Sequence, residues 1–198
     1  MNDRTEVEGD GVSFTRRGVL GVFAALATIA AAPDVFAAPI PGRKPALGGA
    51  RGVRAVHLYS VNTGERVKAP YWQNGRYIGE TMKTISRIMR DHRSGEQHRI
   101  DPLLIDALCA MQMRLGASKP IEIISGYRSP ESNEALRLAG YGVAEHSYHM
   151  QGKAVDIRVP GYRVSQLSKM AKMMRRGGVG TYGSGNFVHI DTGPIRYW

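Results

Sequence analysis

The sequence predicts an α+β domain, in which helices pack with a small and mostly antiparallel sheet. Short stretches that alternate apolar and polar side chains indicate strands, and longer stretches with an apolar residue every three or four positions indicate helices. The chain has 198 residues and contains no internal repeat and no long low-complexity tract. That length is enough for one domain with a hydrophobic core of its own.

The first predicted elements are a β-hairpin and two helices. The turn between the hairpin strands, over residues 62–65, contains Gly64, whose backbone freedom suits a tight reversal. The second helix has start signals at Asp101, which can cap it, and at Pro102, which suits its first turn. In chain order we expect a strand over residues 54–60, its partner over 66–71, a helix over 77–91 and a helix that ends at Gly116.

The remaining predicted elements place polar side chains on two strands. Over residues 154–159, the alternating pattern puts Asp156 on the face opposite the apolar side chains. Over residues 186–191, His189 and Asp191 share a face in the same way. The other elements that we expect are a strand over residues 121–124, a turn over 125–130 and helices over 131–139 and 164–174.

The most informative segment is residues 147–156, which reads SYHMQGKAVD and follows the pattern SxHxxGxAxD. Its His149 and Asp156, together with His189, offer two imidazoles and one carboxylate. Such a set suits a borderline metal, most simply Zn²⁺, and leaves the open fourth position that a catalytic zinc site requires. Each residue alone is more often a solvated histidine or a turn-anchoring aspartate, but the complete pattern favours a metal site. The single cysteine, Cys109, is far from this segment in sequence.

The predicted strands favour a meeting of these three side chains. Asp156 and His189 belong to separate strands, and an acid on one strand can meet a histidine on a neighbouring strand at the sheet surface. His149 would reach them from the loop before the first of these strands, where Gly152 permits a sharp turn. If the three side chains converge, the site has the form of a catalytic metal centre.

Residues 1–37 are predicted to be an export signal. Arg16 and Arg17 precede a run of small and apolar residues, and Ala37 ends a segment that suits cleavage. The arginine pair resembles a twin-arginine signal, which serves proteins exported in folded form, and an ordinary secretory signal or an uncleaved anchor is the alternative. The apolar run is too short and too rich in alanine for a membrane span, so we expect no stable span after cleavage. A linker over residues 38–53 and a domain over 54–198 would follow, with the periplasm as the location.

The charge of the chain favours an anionic partner. Residues 1–37 hold three arginines and five acidic residues, so their removal raises the net charge from +10 to +12. A basic exported protein suits an anionic polymer, such as the peptide carboxylates of a cell wall, or an anionic lipid surface. Nucleic acid is not expected, because export removes the protein from most of it and no nucleic-acid-binding motif is present. Solubility alone is the alternative explanation of the charge.

Several separate segments resemble the YcbK-like murein endopeptidases, which are relatives of the D-Ala-D-Ala carboxypeptidases and of the hedgehog N-terminal fold. The resemblance spans about residues 54–198 and implies that fold, together with a zinc peptidase that cuts peptide crosslinks of peptidoglycan. It also leads us to expect peptidoglycan stem peptides and crosslinks as partners, and a monomer. The matching segments are residues 58–65, 71–77, 90–93, 100–104, 125–129, 147–156 and 186–193.

The resemblance also implies roles for individual residues. Position by position, His149, Asp156 and His189 match the zinc ligands of the family, and Arg128 matches the arginine that faces the substrate carbonyl in carboxypeptidase relatives. Such a role makes physical sense, because a fixed guanidinium stabilises the negative charge that builds on a carbonyl oxygen as water adds to it. An arginine that only braces the turn is the alternative.

One departure from the family pattern leaves the general base open. Many carboxypeptidase relatives carry a Glu or Asp three residues before the last ligand, whereas this chain has Asn186, which cannot take a proton. Asp191 and His146 are the two candidates for the base. Asp191 could instead orient a ligating imidazole through a hydrogen bond. We therefore expect a murein endopeptidase, with a D,D- or L,D-carboxypeptidase or a non-catalytic wall-binding module as alternatives.

Overall fold

The computed structural model describes residues 52–116 and 118–198 of the chain. The predicted export signal over residues 1–37 and nearly all of the predicted linker over 38–53 lie outside the described residues. Within the described part, no helix has the length and apolar character that crossing a membrane requires.

The described residues form eight strands, four α-helices and one 3₁₀-helix, which confirms the predicted α+β class. In chain order they are β1 (Val53–Ser60), β2 (Arg66–Gln73), β3 (Arg76–Tyr77), α1 (Gly79–Ile88), α2 (Pro102–Leu115), β4 (Ile121–Ser125), α3 (Pro130–Leu138), the 3₁₀-helix (Tyr148–Gln151), β5 (Ala154–Arg158), α4 (Val164–Met174), β6 (Gly178–Tyr182), β7 (Phe187–Asp191) and β8 (Arg196–Tyr197).

The eight strands form a single sheet in the order β3-β2-β1-β4-β5-β7-β6-β8. Within it, β1 pairs in parallel with β4 and β6 pairs in parallel with β8, whereas the other neighbouring strands are antiparallel. The predicted β1–β2 hairpin is present, and Gly64 in its turn has a φ of +72°. The sheet is therefore mostly antiparallel, as predicted.

The predicted start and end signals of the second helix are both present in α2. The side chain of Asp101 caps the helix by accepting a hydrogen bond from the Leu103 amide at 2.9 Å. The other carboxylate oxygen of Asp101 accepts a bond of 2.7 Å from the Thr192 hydroxyl, directly after β7. Gly116 ends the helix in the left-handed conformation, with a φ of +57°. The cap of α2 thus also fixes the segment that follows His189 and Asp191.

The hydrophobic core lies on one face of the sheet, between the strands and helices α1, α2 and α4. These helices pack against β2, β1 and the β6–β7 pair respectively. Because neighbouring residues of a strand point to opposite faces, Asp156 and His189 face away from the core that their neighbours enter. The core side chains include Leu58, Met82, Ile85, Leu104, Leu108, Ile123, Val155, Ile157, Leu167, Val188 and Ile190.

One carboxylate is buried on the helix side of the molecule. Asp106 of α2 has no exposed surface. Its oxygens accept hydrogen bonds from the hydroxyls of Tyr71 at 2.7 Å and Tyr77 at 3.0 Å, and from Nη1 of Arg54 at 3.2 Å. Burial and the charge of Asp106 raise the pKa of both tyrosines, so they remain donors at any ordinary pH. This cluster joins β1, β2 and β3 to α2.

The candidate metal centre

The antiparallel register of β5 and β7 brings two of the predicted ligands together. Asp156 lies directly opposite His189 in this register, and Ala154 lies opposite Asp191. Directly opposite residues on one face have side chains close enough to interact. The predicted meeting of an acid on one strand with a histidine on its neighbour is therefore present in the structure.

The third residue, His149, comes from the 3₁₀-helix before β5. The hydroxyl of Ser147 caps this helix by accepting a hydrogen bond from the His149 amide at 3.3 Å. Gly152 ends it with a φ of +63°, and a Cβ atom there would overlap the carbonyl oxygen of Arg99. The sharp turn predicted at Gly152 is confirmed, and only glycine fits it.

The three side chains converge on one buried point. His149 Nε2 lies 3.2 Å from His189 Nδ1. Oδ1 of Asp156 lies 3.3 Å from the first of these nitrogens and 3.0 Å from the second. The residues are 2%, 7% and 8% exposed in the order His149, Asp156 and His189. One ligand atom from each lies within 4.8 Å of the other two, a spacing that could hold a metal ion.

The outward hydrogen bonds of the two histidines determine where their protons lie. His149 Nδ1 is 2.6 Å from the carbonyl oxygen of Gly126, which can only accept, so Nδ1 carries the proton. His189 Nε2 is 3.0 Å from Oδ2 of Asp191, which accepts in its ionised form, so Nε2 carries the proton. In the neutral imidazoles, the nitrogens that face inward therefore present lone pairs. Three hydrogen-bond acceptors, His149 Nε2, His189 Nδ1 and Asp156 Oδ1, therefore face one another. Because acceptors repel each other, a cation among them would stabilise the cluster.

The electrostatics of the cluster show the same attraction for positive charge. Burial alone would raise the pKa of Asp156, but without a metal ion the protonated imidazoles of His149 and His189 would donate to this carboxylate, and their charges and hydrogen bonds hold its pKa far below its usual value. Burial would lower the pKa of His189, but its hydrogen bonds to Asp156 and Asp191 raise it. The two carboxylates thus favour a positive charge at His189, which either a proton or a metal ion can supply.

The fourth predicted residue, Arg128, lies beside this cluster. Its Nη2 is 3.9 Å from Oδ2 of Asp156, the oxygen that does not contact the imidazole nitrogens. Nη1 donates to Oδ1 of Asn133 at 3.1 Å, and Nη2 lies 3.5 Å from the Ser125 hydroxyl. The residue is 6% exposed, and its Nε has no hydrogen-bond partner among the described residues. A buried N–H of this kind remains available to a ligand.

The turn that carries Arg128 is anchored by groups from the segment after α1. Oδ2 of Asp91 accepts a hydrogen bond of 2.8 Å from the Ser129 amide. The Met89 carbonyl accepts one of 2.7 Å from the Tyr127 amide, and a Cβ atom on Gly126 would overlap that carbonyl. Since Gly126 also holds His149, one turn positions both the arginine and a candidate ligand.

Asp191 is held from several sides. Besides His189, its oxygens accept hydrogen bonds from the Gly178 amide at 3.0 Å and the Gly193 amide at 2.8 Å. The guanidinium of Arg196 on β8 donates to both of its oxygens, at 3.1 and 2.8 Å. Burial would raise the pKa of Asp191, but these bonds lower it to about 2. Asp191 is therefore an ionised group with little affinity for a proton.

Two residues near the site have no signal in the sequence pattern. Arg196 lies between two rings, with its guanidinium carbon 5.1 Å from the Tyr148 ring centre and 5.0 Å from that of Trp198. The Trp198 ring lies 5.3 Å from the His189 ring. Both residues belong to the segment 196–198, and no spacing rule connects this segment with the SxHxxGxAxD segment.

The structure does not bring His146 and Asn186 into the cluster. His146 is exposed, and no hydrogen bond within the described part of the chain joins it to the three candidate ligands. Asn186 lies in the turn between β6 and β7 with a φ of +52°. Its left-handed conformation suits asparagine, which accounts for the residue as part of a tight turn.

Comparison with known proteins identifies a family. The family model described as "Peptidoglycan L,D-endopeptidase MepK" (Peptidase_M15_2) matches residues 49–198. The peptidoglycan L,D-endopeptidases MepK of Escherichia coli K12 and Shigella flexneri are each 44% identical over 145 residues, which cover 73% of this chain and 80% of theirs. The probable peptidoglycan L,D-endopeptidase MepK of Haemophilus influenzae is 38% identical over 146 residues, or 73% of this chain and 78% of its own. These matches confirm the predicted murein endopeptidase family.

Proposed function

Because the chain belongs to the peptidoglycan L,D-endopeptidase MepK family, we propose that it is a metal-dependent endopeptidase that hydrolyses L,D peptide crosslinks of peptidoglycan. The observation that carries the metal dependence is the convergence of three acceptor atoms, within 4.8 Å of one another, that need a cation among them. The names of the relatives supply the L,D specificity, which we extend to this chain.

We propose zinc as the metal, with His149 Nε2, Asp156 Oδ1 and His189 Nδ1 as its ligands. Two nitrogen donors and one oxygen donor are a common set for catalytic zinc and leave a position open. When bound, the ion would supply Lewis-acid chemistry, which polarises an amide carbonyl and acidifies water. The outward bonds to Gly126 and Asp191 support this assignment, because a ligating histidine usually donates its other N–H to such an acceptor.

For Arg128 we propose stabilisation of the negative charge that develops on the carbonyl oxygen of the substrate. Its guanidinium is fixed by Asn133 before substrate arrives, so little reorganisation is required during the reaction. The free Nε and the position of Nη2 beside Asp156 leave donors close to the candidate metal site. The bond to Asn133 also braces the turn, so the two roles predicted for this arginine coexist.

We assign Asp191 to the orientation of His189 rather than to proton transfer. Its oxygens already accept bonds from His189, two backbone amides and Arg196, and a pKa of about 2 makes it a poor base near neutral pH. Of the two candidates for the general base, His146 is the one whose side chain is exposed to solvent. We propose it as the residue to test.

We also propose that the protein acts outside the cytoplasm, in the periplasm, after export by the twin-arginine route and removal of about residues 1–37. Peptidoglycan lies outside the inner membrane, and Arg16 and Arg17 precede an apolar run as such a signal requires. Replacing both arginines by lysine should trap the precursor inside the cell. Export at the normal level would indicate the general secretory route instead.

Digestion of purified muropeptides tests the proposed function. The exported protein, loaded with zinc, should convert dimers with an L,D crosslink to monomers and leave dimers with a D,D crosslink intact. A chelator should stop the reaction, and added zinc should restore it. Loss of one terminal residue from monomers would indicate a carboxypeptidase, and binding without cleavage would indicate a wall-binding module. A His57→Ala variant is a suitable control, because the hydrogen bonds of this strand histidine to Gln112 come from its backbone and would be kept.

A further inference from the structure

A second polar site lies where α4 meets the edge of the sheet. A groove of about 640 Å³ is lined there by Lys169, Lys172 and Arg175, together with Thr181 of β6 and Tyr197 of β8. This volume lies within the range of about 300–1,000 Å³ that is usual for ligand sites. The groove is separate from the candidate metal centre, and none of the roles proposed above uses it.

Lys169 and Lys172 are three residues apart, which brings their side chains to one side of α4, and Arg175 caps the end of this helix in the left-handed conformation. None of them forms an ion pair with a carboxylate of the described residues. The segment that carries these cations is short of carboxylates. Between Asp156 and Asp191 the sequence has six Lys and Arg residues and no Asp or Glu. Like charges at this spacing repel each other, so the cluster has an electrostatic cost that an anionic ligand would remove.

The walls of the groove are fixed by hydrogen bonds. The hydroxyl of Tyr197 donates to the backbone carbonyl of Lys172 at 3.0 Å, and the ammonium of Lys172 lies 5.7 Å from the Tyr197 ring centre. On the other side, the hydroxyls of Ser168 and Thr181 are 2.7 Å apart. The helix and the edge strands therefore hold the cations over a formed surface that also presents hydroxyl groups.

The groove and the candidate metal centre lie on opposite faces of the same sheet edge. Gly180 of β6 pairs with His189, and a Cβ atom there would overlap the Trp198 ring on the metal side. The next residue, Thr181, points the other way and contacts α4. Among the described strands, β8 alone lies beyond β6, and neighbouring strands are about 4.8 Å apart. A polymer that crosses this edge can therefore contact both sites.

We propose that this groove binds the free carboxylates of a peptidoglycan stem peptide next to the crosslink that is cut. The inference rests on the proposed function, because it assigns the groove to the same substrate. Carboxylates suit the ammonium and guanidinium groups that line the groove. The position of the groove on the sheet edge that carries Trp198, across from the candidate metal site, favours a segment of the substrate polymer over a lipid surface.

The test compares two variants that each lose two positive charges. Lys169→Gln/Lys172→Gln removes them from the groove, and Lys83→Gln/Lys119→Gln removes them from α1 and from the loop before β4. With zinc-loaded full-length exported protein, the groove variant should bind isolated sacculi about tenfold more weakly than wild type, on the scale of two exposed ion pairs. Its kcat on a small soluble L,D-crosslinked dimer should be unchanged, and the control variant should match wild type in both assays.

Sacculi with amidated stem carboxylates identify the ligand. Wild type should bind them as weakly as the groove variant binds native sacculi. Equal binding of native sacculi by the two variants would overturn the proposal, as would full affinity of wild type for amidated sacculi. If the groove variant lost affinity only for vesicles containing anionic phospholipid, the groove would be a lipid site instead. Failure of wild type to cut the soluble dimer would contradict the proposed function and would be distinct from all of these results.

Discussion

Two buried aspartates of this protein, Asp106 and Asp156, have opposite surroundings. Asp106 of α2 accepts hydrogen bonds from two tyrosine hydroxyls and from Arg54, so its negative charge is met by protons that point at it. Asp156 of β5 lies 3.0 to 3.3 Å from two imidazole nitrogens whose protons are directed elsewhere. The carboxylate of Asp106 therefore has its full set of hydrogen-bond donors. The carboxylate of Asp156 instead lies beside two nitrogen lone pairs, which donate nothing to it.

The difference shows that burial does not separate a structural carboxylate from a candidate metal ligand. Asp106 is the more buried of the two, yet its cluster leaves no place for a ligand. What leaves room for a cation at Asp156 is the direction of the neighbouring imidazole protons, because these protons point outward to Gly126 and Asp191. The cluster on the open face of the sheet can therefore hold a cation, and the cluster on the helix side holds the fold together.

The largest expected effects come from removing one residue from each cluster. His149→Ala should lose bound zinc and reduce muropeptide turnover to background, because the remaining two ligands are too few for a tight site. Asp106→Ala should lower the free energy of unfolding by about 3–5 kcal/mol, the usual cost of breaking a buried charge pair. Metal analysis, turnover and urea unfolding of the metal-free proteins measure the two effects. If folded Asp106→Ala protein lost its zinc, or if His149→Ala protein kept all of its zinc, the distinction between a structural cluster at Asp106 and a metal-binding cluster at Asp156 would be wrong.

A smaller loss is expected when the cation beside Asp156 is changed. Arg128→Ala should retain zinc but lower kcat by roughly 10²–10³-fold, as the loss of one oxyanion donor does elsewhere. Arg128→Lys should recover little of this loss, because an ammonium does not reproduce the planar donor set that Asn133 holds in place. Steady-state kinetics with metal analysis measures both variants. If Arg128→Ala lost zinc as well, the arginine would be a support of the metal site instead.

The next effect concerns the partner of His189. Asp191→Asn and Arg196→Ala should each weaken zinc binding by about 10–100-fold, the range found when a group that orients a ligating histidine is removed. At saturating zinc, much of the turnover should return in both variants, which a general base mutant would not show. His146→Gln is the matched test, because it should keep normal zinc affinity and lose the acid limb of the pH–rate profile if His146 is the base. Normal turnover of His146→Gln would exclude it from proton transfer.

The sequence predicted those parts of the fold and the candidate site that depend on local pattern. Alternation and helical periodicity located the main strands and helices, and the SxHxxGxAxD segment with His189 identified three residues that do converge. The predicted helix over residues 77–91 is shorter, from Gly79 to Ile88, because Tyr77 pairs with Trp72 in the sheet. Strand β6 was not predicted, because glycine occupies two of its five positions and weakens a strand signal.

What the sequence could not supply are the partners that come from distant segments. The carbonyl of Gly126 holds His149 across 23 positions. The pairing of β8 with β6 places Arg196 at the edge of the sheet, where it holds Asp191. A strand of two residues is too short to be predicted from the sequence. These contacts support our proposal that Asp191 orients His189, whereas its sequence position fits a base and an orienting residue equally.

The smallest effect is expected at another buried carboxylate, Asp91, which holds the turn of Arg128 and, like Asp106, accepts several hydrogen bonds. Burial would raise its pKa, but bonds from Ser132, Ser129 and the Arg93 amide lower it from 3.8 to about 2. A lowered folded-state pKa means that the stabilisation is complete above about pH 4 and is lost as the pH falls through 2. Its contribution is at most about 2 kcal/mol.

Asp91→Asn tests this linkage. The variant should unfold more easily than wild type at pH 5, by up to about 2 kcal/mol, and the difference should shrink to less than about 1 kcal/mol at pH 2, where Asp91 of folded wild type is about half protonated. Urea unfolding across this pH range measures the difference, with Glu80→Gln, an exposed carboxylate on α1, as a control that should change it by less than about 1 kcal/mol at every pH. A difference that stays constant from pH 5 to pH 2 would mean that the shape of the Asp91 side chain, rather than its charge, holds the turn of Arg128 in place.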